Sequence, residues 1–156
     1  DIDIKPGTLE DYKFKNKNFD VVSLWDALEH LPDPKGTLKE CNRILKDNGL
    51  LVVNYPDIGS VAARIMRSKW VFLLAVHLYY FTPKTIKRIL KESNFKIILI
   101  KKHIQILSFG YLVTRTEPYS RFLFKFGKFI IKNLKLENIQ IPYWIGQTLV
   151  IAKKNG

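Results

Sequence analysis

Asp26, Glu29 and His30 stand at i, i+3 and i+4 within Leu24-Trp-Asp-Ala-Leu-Glu-His-Leu-Pro-Asp-Pro34. If a helical turn begins there, this spacing sets all three side chains on one face. Two carboxylates and an imidazole so placed suit a divalent cation, or an acid/base cluster whose imidazole moves a proton near neutral pH. The same spacing suits a structural role, with Asp26 capping the turn and Glu29 and His30 fastening the loop. His77 falls in the apolar run from Trp70 to Phe81, where a histidine reads as a core residue, and His103 has no acidic neighbour in sequence and no assigned role.

Several common sites are missing. No two of the eight glycines are two residues apart, so no G-x-G dinucleotide turn exists, and neither a glycine–lysine–serine/threonine phosphate loop nor a G-x-S-x-G nucleophile elbow occurs. A lone Cys41 excludes a disulfide scaffold. One Cys and three His cannot supply the paired ligands of a zinc finger or ribbon. With 47% hydrophobic and 13% aromatic residues in 156, the chain can build one ordinary domain with a core, and its composition argues against disorder.

The elements that position the acidic–histidine stretch follow from periodicity. Phe19–Leu24 reads as a short buried strand, so the stretch begins at a strand's carboxyl end, the edge where open α/β sheets bind ligands. Asp33-Pro34 supplies an N-cap and first-turn proline, Leu38, Cys41 and Leu45 recur at helical spacing, and Asn48-Gly49 ends that helix. Leu50–Asn54 is the next strand. A helix is expected from about Ile58 to Arg67 with Val61, Ala62, Ile65 and Met66 on one face. Thr82-Pro83 opens another through Ser93, with Ile86, Ile89 and Leu90 as its apolar face. Phe95–Ile100 and Thr148–Ala152 read as strands. Alternating strands and helices predict an α/β sheet with helices on its faces.

Between the last two strands, Arg121, Lys125, Lys128, Lys132 and Lys135 recur at steps of four and three, a basic stripe on an amphipathic helix, with Phe122, Phe129, Ile130 and Leu134 away from it. Such a helix suits an anionic membrane surface, a partner, or its own domain as a lid. The net charge of +12 attracts phosphate-rich partners, anionic lipid in preference to nucleic acid, although a lysine-rich coding bias accounts for the same charge. The longest nearly uncharged apolar run is twelve residues, short of the ~20 that span a bilayer. The chain opens on Asp1, its single methionine is Met66, and it reads as a fragment or trimmed product from a reducing cytoplasmic setting.

The order Phe19-Asp-Val-Val, Asp-Ala-Leu-Glu-His-Leu-Pro-Asp-Pro, Arg43-Ile-Leu-Lys-Asp-Asn-Gly-Leu-Leu-Val-Val-Asn-Tyr-Pro56, then His77-Leu-Tyr-Tyr-Phe-Thr-Pro resembles the class I S-adenosylmethionine-dependent methyltransferases. It is most similar to the branch that holds ubiquinone-pathway O-methyltransferases and enzymes encoded with surface-polysaccharide genes. The resemblance implies an α/β fold: a partial Rossmann-like methyltransferase sheet (strands 3 to 7 of the family order 3-2-1-4-5-7-6) with flanking helices and the inserted basic helix. It implies one partial domain over residues 1–156, with a family-like core at 4–105 and 147–154 and a variable insertion at 106–146.

By the same resemblance, Thr8 and Leu9 end strand 3 and meet the adenine of S-adenosylmethionine, while Leu24 and Trp25 line its methionine part. The family's glycine-rich turn and the acidic residue of strand 2 have no counterpart and would lie before Asp1, leaving an edge of strand 4 unpaired and the fragment alone inactive. A carboxylate, two residues, then Glu-His resembles the divalent-metal motif of small-RNA 2′-O-methyltransferases, which also use a later histidine. This implies Asp26, Glu29, His30 and His77 as ligands of an ion such as Mg, and Asp26, Glu29 and His30 as catalytic. The implied reaction is methyl transfer to an oxygen or nitrogen of a small or lipid-linked acceptor shaped by Trp70–Tyr143. The competing reading is a non-catalytic module that holds a membrane surface or an acidic partner through residues 121–135.

Overall fold

The computed structural model describes residues 3–155. It divides into two compact units, one running to Lys102 and resuming at Gly146, the other from His103 to Ile145.

The first unit is built on four strands: β1 (Phe19–Trp25), β2 (Leu45–Pro56), β3 (Phe95–Lys102) and β6 (Gln147–Lys154). Their order is β1-β2-β6-β3. β1 runs parallel to β2, and β6 runs antiparallel to both β2 and β3. This is the 4-5-7-6 part of the order that the resemblance implies. Residues 5–11 supply no strand to the sheet; Leu9–Asp11 is a 3-10 turn, so the expected end of strand 3 is absent from the described residues.

Three helices accompany the sheet: α1 (Pro34–Ile44), α2 (Val61–Met66) and α3 (Pro83–Glu92). α1 starts where the sequence predicts, because the Asp33 carboxylate accepts the Gly36 N–H at 2.9 Å and Pro34 needs no donor partner. α3 starts at a reciprocal Thr82/Thr85 capping box. Leu38 and Cys41 of α1 and Ile86 and Leu90 of α3 join Leu51, Val53 and Tyr55 of β2 and Val150 and Ala152 of β6 in one buried cluster. Because strand side chains alternate, this cluster occupies one sheet face. On the other, Val52, Leu149 and Ile151 are half-buried, and Val21 and Trp25 are 52% and 53% exposed. β1 is therefore not the buried strand its run of apolar residues suggests; among the described residues it pairs with β2 alone.

Two boundaries also differ from expectation. α1 ends at Ile44 rather than at Asn48-Gly49, because Leu45 already pairs with Phe19; residues 46–49 then bulge out before Val21 meets Leu50. Asn48 takes the left-handed conformation (φ 65°) that such a bulge demands. α2 begins at the Ser60 cap and buries Ala63, whereas Val61 and Ile65 of the predicted apolar face are 63% and 76% exposed.

The second unit holds β4 (Gln105–Ser108) paired antiparallel with β5 (Gln140–Tyr143), α4 (Phe109–Thr114) and α5 (Arg121–Asn133). α5 carries four of the five predicted cations; Lys135 lies beyond its end, with φ 54°. No helix among the described residues is long and apolar enough to cross a membrane.

Candidate active site

The parallel pairing of β1 and β2 puts the acidic–histidine stretch at their common carboxyl edge. The chain leaves β1 through Asp26, whose left-handed φ of 46° turns it sharply before a 3-10 turn, Leu28–His30. Asp26 therefore does not share a helical face with Glu29 and His30, and the expected three-residue face is corrected. Its carboxylate accepts the Asn54 Nδ2–H at 2.8 Å and the Gln147 Nε2–H at 2.9 Å, from the ends of β2 and β6. Two neutral amide donors balance part of its charge and hold the turn against the sheet edge.

Glu29, His30 and His77 come together instead. Each offers a ligand atom within 4.8 Å of the others, and the two imidazoles meet edge to face at 4.6 Å. The segment that carries His77 is held there by main-chain bonds: the Leu78 and Tyr79 N–H groups both donate to the Glu29 carbonyl, at 2.9 and 3.2 Å. The Tyr79 hydroxyl adds a bond to the Pro32 carbonyl. Of the four ligands that the resemblance implies, three share this cluster and Asp26 is bound elsewhere.

The cluster's polar atoms are unusually bare. Glu29 is 1% exposed and neither carboxylate oxygen has a hydrogen-bond partner among the described residues. Burial pushes its pKa up, and the Asp26 charge adds to that, while its own backbone amide and His30 oppose. His77 Nδ1 is likewise buried without a partner among the described residues, while the ring also bonds the Phe72 backbone. Burial and the neighbouring His30 hold its pKa below the ordinary value. His30 is exposed, and its Nδ1 lies 3.0 Å from the Val76 carbonyl. A carbonyl only accepts, so the proton sits on Nδ1 and leaves the Nε2 lone pair available.

The other predicted positions lie apart from this cluster. Leu24 is half-buried against the core and Trp25 is exposed, both at the carboxyl end of β1. Thr8 donates its N–H and hydroxyl to the Asp11 carboxylate at 2.7 and 2.9 Å, and Leu9 packs against the core cluster. Thr8 lines a cleft of about 540 Å³ with Glu10, Leu31, Asp33, Thr37 and Arg43, a set without Glu29, His30 or His77. Sequence reasoning missed Asn54 and Gln147. Asn54 had a signal, an amide closing an otherwise apolar strand; Gln147 had none.

A family of methyltransferase domains matches residues 3–100. A ubiquinone biosynthesis O-methyltransferase of Cereibacter sphaeroides is 33% identical over 72 residues, 45% of this chain and 29% of that protein. Its counterpart from Histophilus somni is 36% identical over 55 residues, 32% of this chain and 23% of that protein. The matches thus span about a quarter of those relatives' lengths. Among solved structures, a methyltransferase from Thermotoga maritima superposes with a TM-score of 0.58 at 20% identity, over 96% of this chain and 62% of that one. Another from Archaeoglobus fulgidus gives 0.57 at 21%, over 97% and 66%. These two show a shared fold. With well over half its residues matched to the family and its strands in the family's order, the chain belongs to the class I S-adenosylmethionine-dependent methyltransferases.

Proposed function

We propose that the chain forms the acceptor-facing edge of an enzyme that transfers a methyl group to an oxygen of a partly apolar acceptor. The observation that carries this reading is His30 at the carboxyl edge of parallel β1, its Nδ1 engaged by Val76 and its Nε2 lone pair available. S-adenosylmethionine, when bound, supplies the methyl on a sulfonium. Leu24 and Trp25 suit its apolar arm, being aliphatic and aromatic residues at the right edge. His30 Nε2 takes the proton of the acceptor hydroxyl as the oxygen attacks, and the 3-10 turn with its Asp26 anchor keeps the imidazole in position. An oxygen acceptor accords with the O-methyltransferase relatives, and the aromatic-rich stretch from Trp70 onward accords with an apolar one.

A second reading adds a divalent cation, and the bare Glu29 oxygens favour it. A buried carboxylate with no partner beside two imidazoles is the donor set of a cation site, and Glu29, His30 and His77 would hold the ion. When bound, it would lower the pKa of the acceptor hydroxyl.

The test, run on the whole enzyme whose acceptor-facing edge this chain forms, is transfer of labelled methyl from S-adenosylmethionine to a catechol acceptor. His30→Ala is expected to lower kcat about 10²–10⁴-fold with little change in the acceptor KM. A variant within twofold of the parent would overturn the role given to His30.

A further inference from the structure

We infer that α5 is an interfacial helix that seats the 103–145 unit on an anionic lipid surface. Arg121, Lys125, Lys128 and Lys132 form one row along the helix, and the helix contains no acidic residue. Phe122, Phe126 and Phe129 form a second row, about a quarter-turn round the axis at 100° per residue. These rings are 74%, 55% and 65% exposed, and Phe122 and Phe126 stack nearly parallel with centroids 6.1 Å apart.

The rings are not the helix's packing seam. That seam lies on the other side, where Ile131 is buried and Gly127 allows Val113 of α4 to come close. Three exposed Phe side chains leave a large apolar area in water. A headgroup–acyl boundary takes up both rows at once, because rings enter the acyl edge while cations, on long flexible stems, stay with anionic headgroups. The charge balance of the unit fits that partner: it has six Lys and Arg against two Glu. Single-stranded nucleic acid would also attract the cations, but it is gripped by exposed rings set among the cations along a groove, and here the three exposed rings keep to their own row while the one ring beneath a cation, Phe124 under Lys128 at 5.5 Å, is half-buried.

The full chain is to be sedimented with vesicles of phosphatidylglycerol and phosphatidylcholine, and with phosphatidylcholine alone. Binding is expected to the anionic vesicles only. It should fall about tenfold or more between ~0.1 M and ~1 M salt, as the Debye length drops from about 10 to about 3 Å. The triple variant F122S/F126S/F129S should bind about tenfold more weakly even at low salt, with its helix content, read by circular dichroism, unchanged. Lys125→Glu with Lys128→Glu should abolish binding. Equal binding to neutral vesicles, unchanged binding by the triple variant, or preference for single-stranded RNA over vesicles would each overturn the inference.

Discussion

Glu29 is a carboxylate with almost no solvent and no partner from another of the described residues, and its energetics follow from that. Burial raises its folded-state pKa above the ordinary 4.5, so the folded chain prefers the protonated form. As pH rises past 4.5 the unfolded chain loses its proton first, and stability falls until the folded-state pKa is passed. Glu29→Gln should therefore be more stable than the parent at neutral pH, by on the order of 1 kcal/mol, and equal to it below about pH 4. Urea unfolding with a chelator present measures this. Manganese should then raise the melting temperature of the parent and not of the variant, since an ion bound only by the folded state stabilises it. A variant that is less stable at neutral pH would remove the cost assigned to the buried charge, and one that still responds to manganese would remove the ion site. His77 acts in the opposite sense: with its pKa held down, it costs stability as pH falls below its ordinary 6.5.

The helices show where local rules suffice and where a neighbour decides. The starts of α1 and α3 were legible because Asp33-Pro34 and Thr82-Pro83 satisfy their own first turns. The end of α1 was not, because pairing of Leu45 with Phe19 takes the chain into β2 before Asn48-Gly49 is reached. The face of α2 was misread for a similar reason: a six-residue helix buries what its surroundings cover, here Ala63. Gly127 of α5 makes a sharper case. Alanine in a helix interior ordinarily gains up to about 1 kcal/mol over glycine. At this position its Cβ would lie 2.8 Å from Val113 Cγ1, a stiff β-branched side chain in the buried seam. Gly127→Ala should thus destabilise the 103–145 unit by about 1–3 kcal/mol, and Val113→Ala in the same chain should restore it. Thermal unfolding followed by circular dichroism of the helices is the readout. A simple gain in stability for Gly127→Ala would show that the two helices do not pack as described.

At the scale of the molecule, the sheet is unevenly protected. Among the described residues, β2 and β6 are paired on both sides, β1 and β3 on one, and the helices α1 and α3 cover a single face. Native-state hydrogen exchange should therefore be slowest at Leu51, Val53, Val150 and Ala152, and faster by about tenfold or more at amides of β1 and β3 that point away from their partners. Uniform protection across the four strands would contradict the strand order. What the amino-acid order settled alone is local or periodic: the strand runs, the capped helix starts, the charged row of α5, and the motif order that carries the family resemblance. Each depends on residues within a few positions of one another. The tertiary structure decided the rest. It bound Asp26 to Asn54 and Gln147, took Asp26 out of the cluster, and brought His77 against His30 across 47 positions. Main-chain bonds from Leu78 and Tyr79 to the Glu29 carbonyl set that last juxtaposition, and main-chain groups leave no mark in the side-chain pattern.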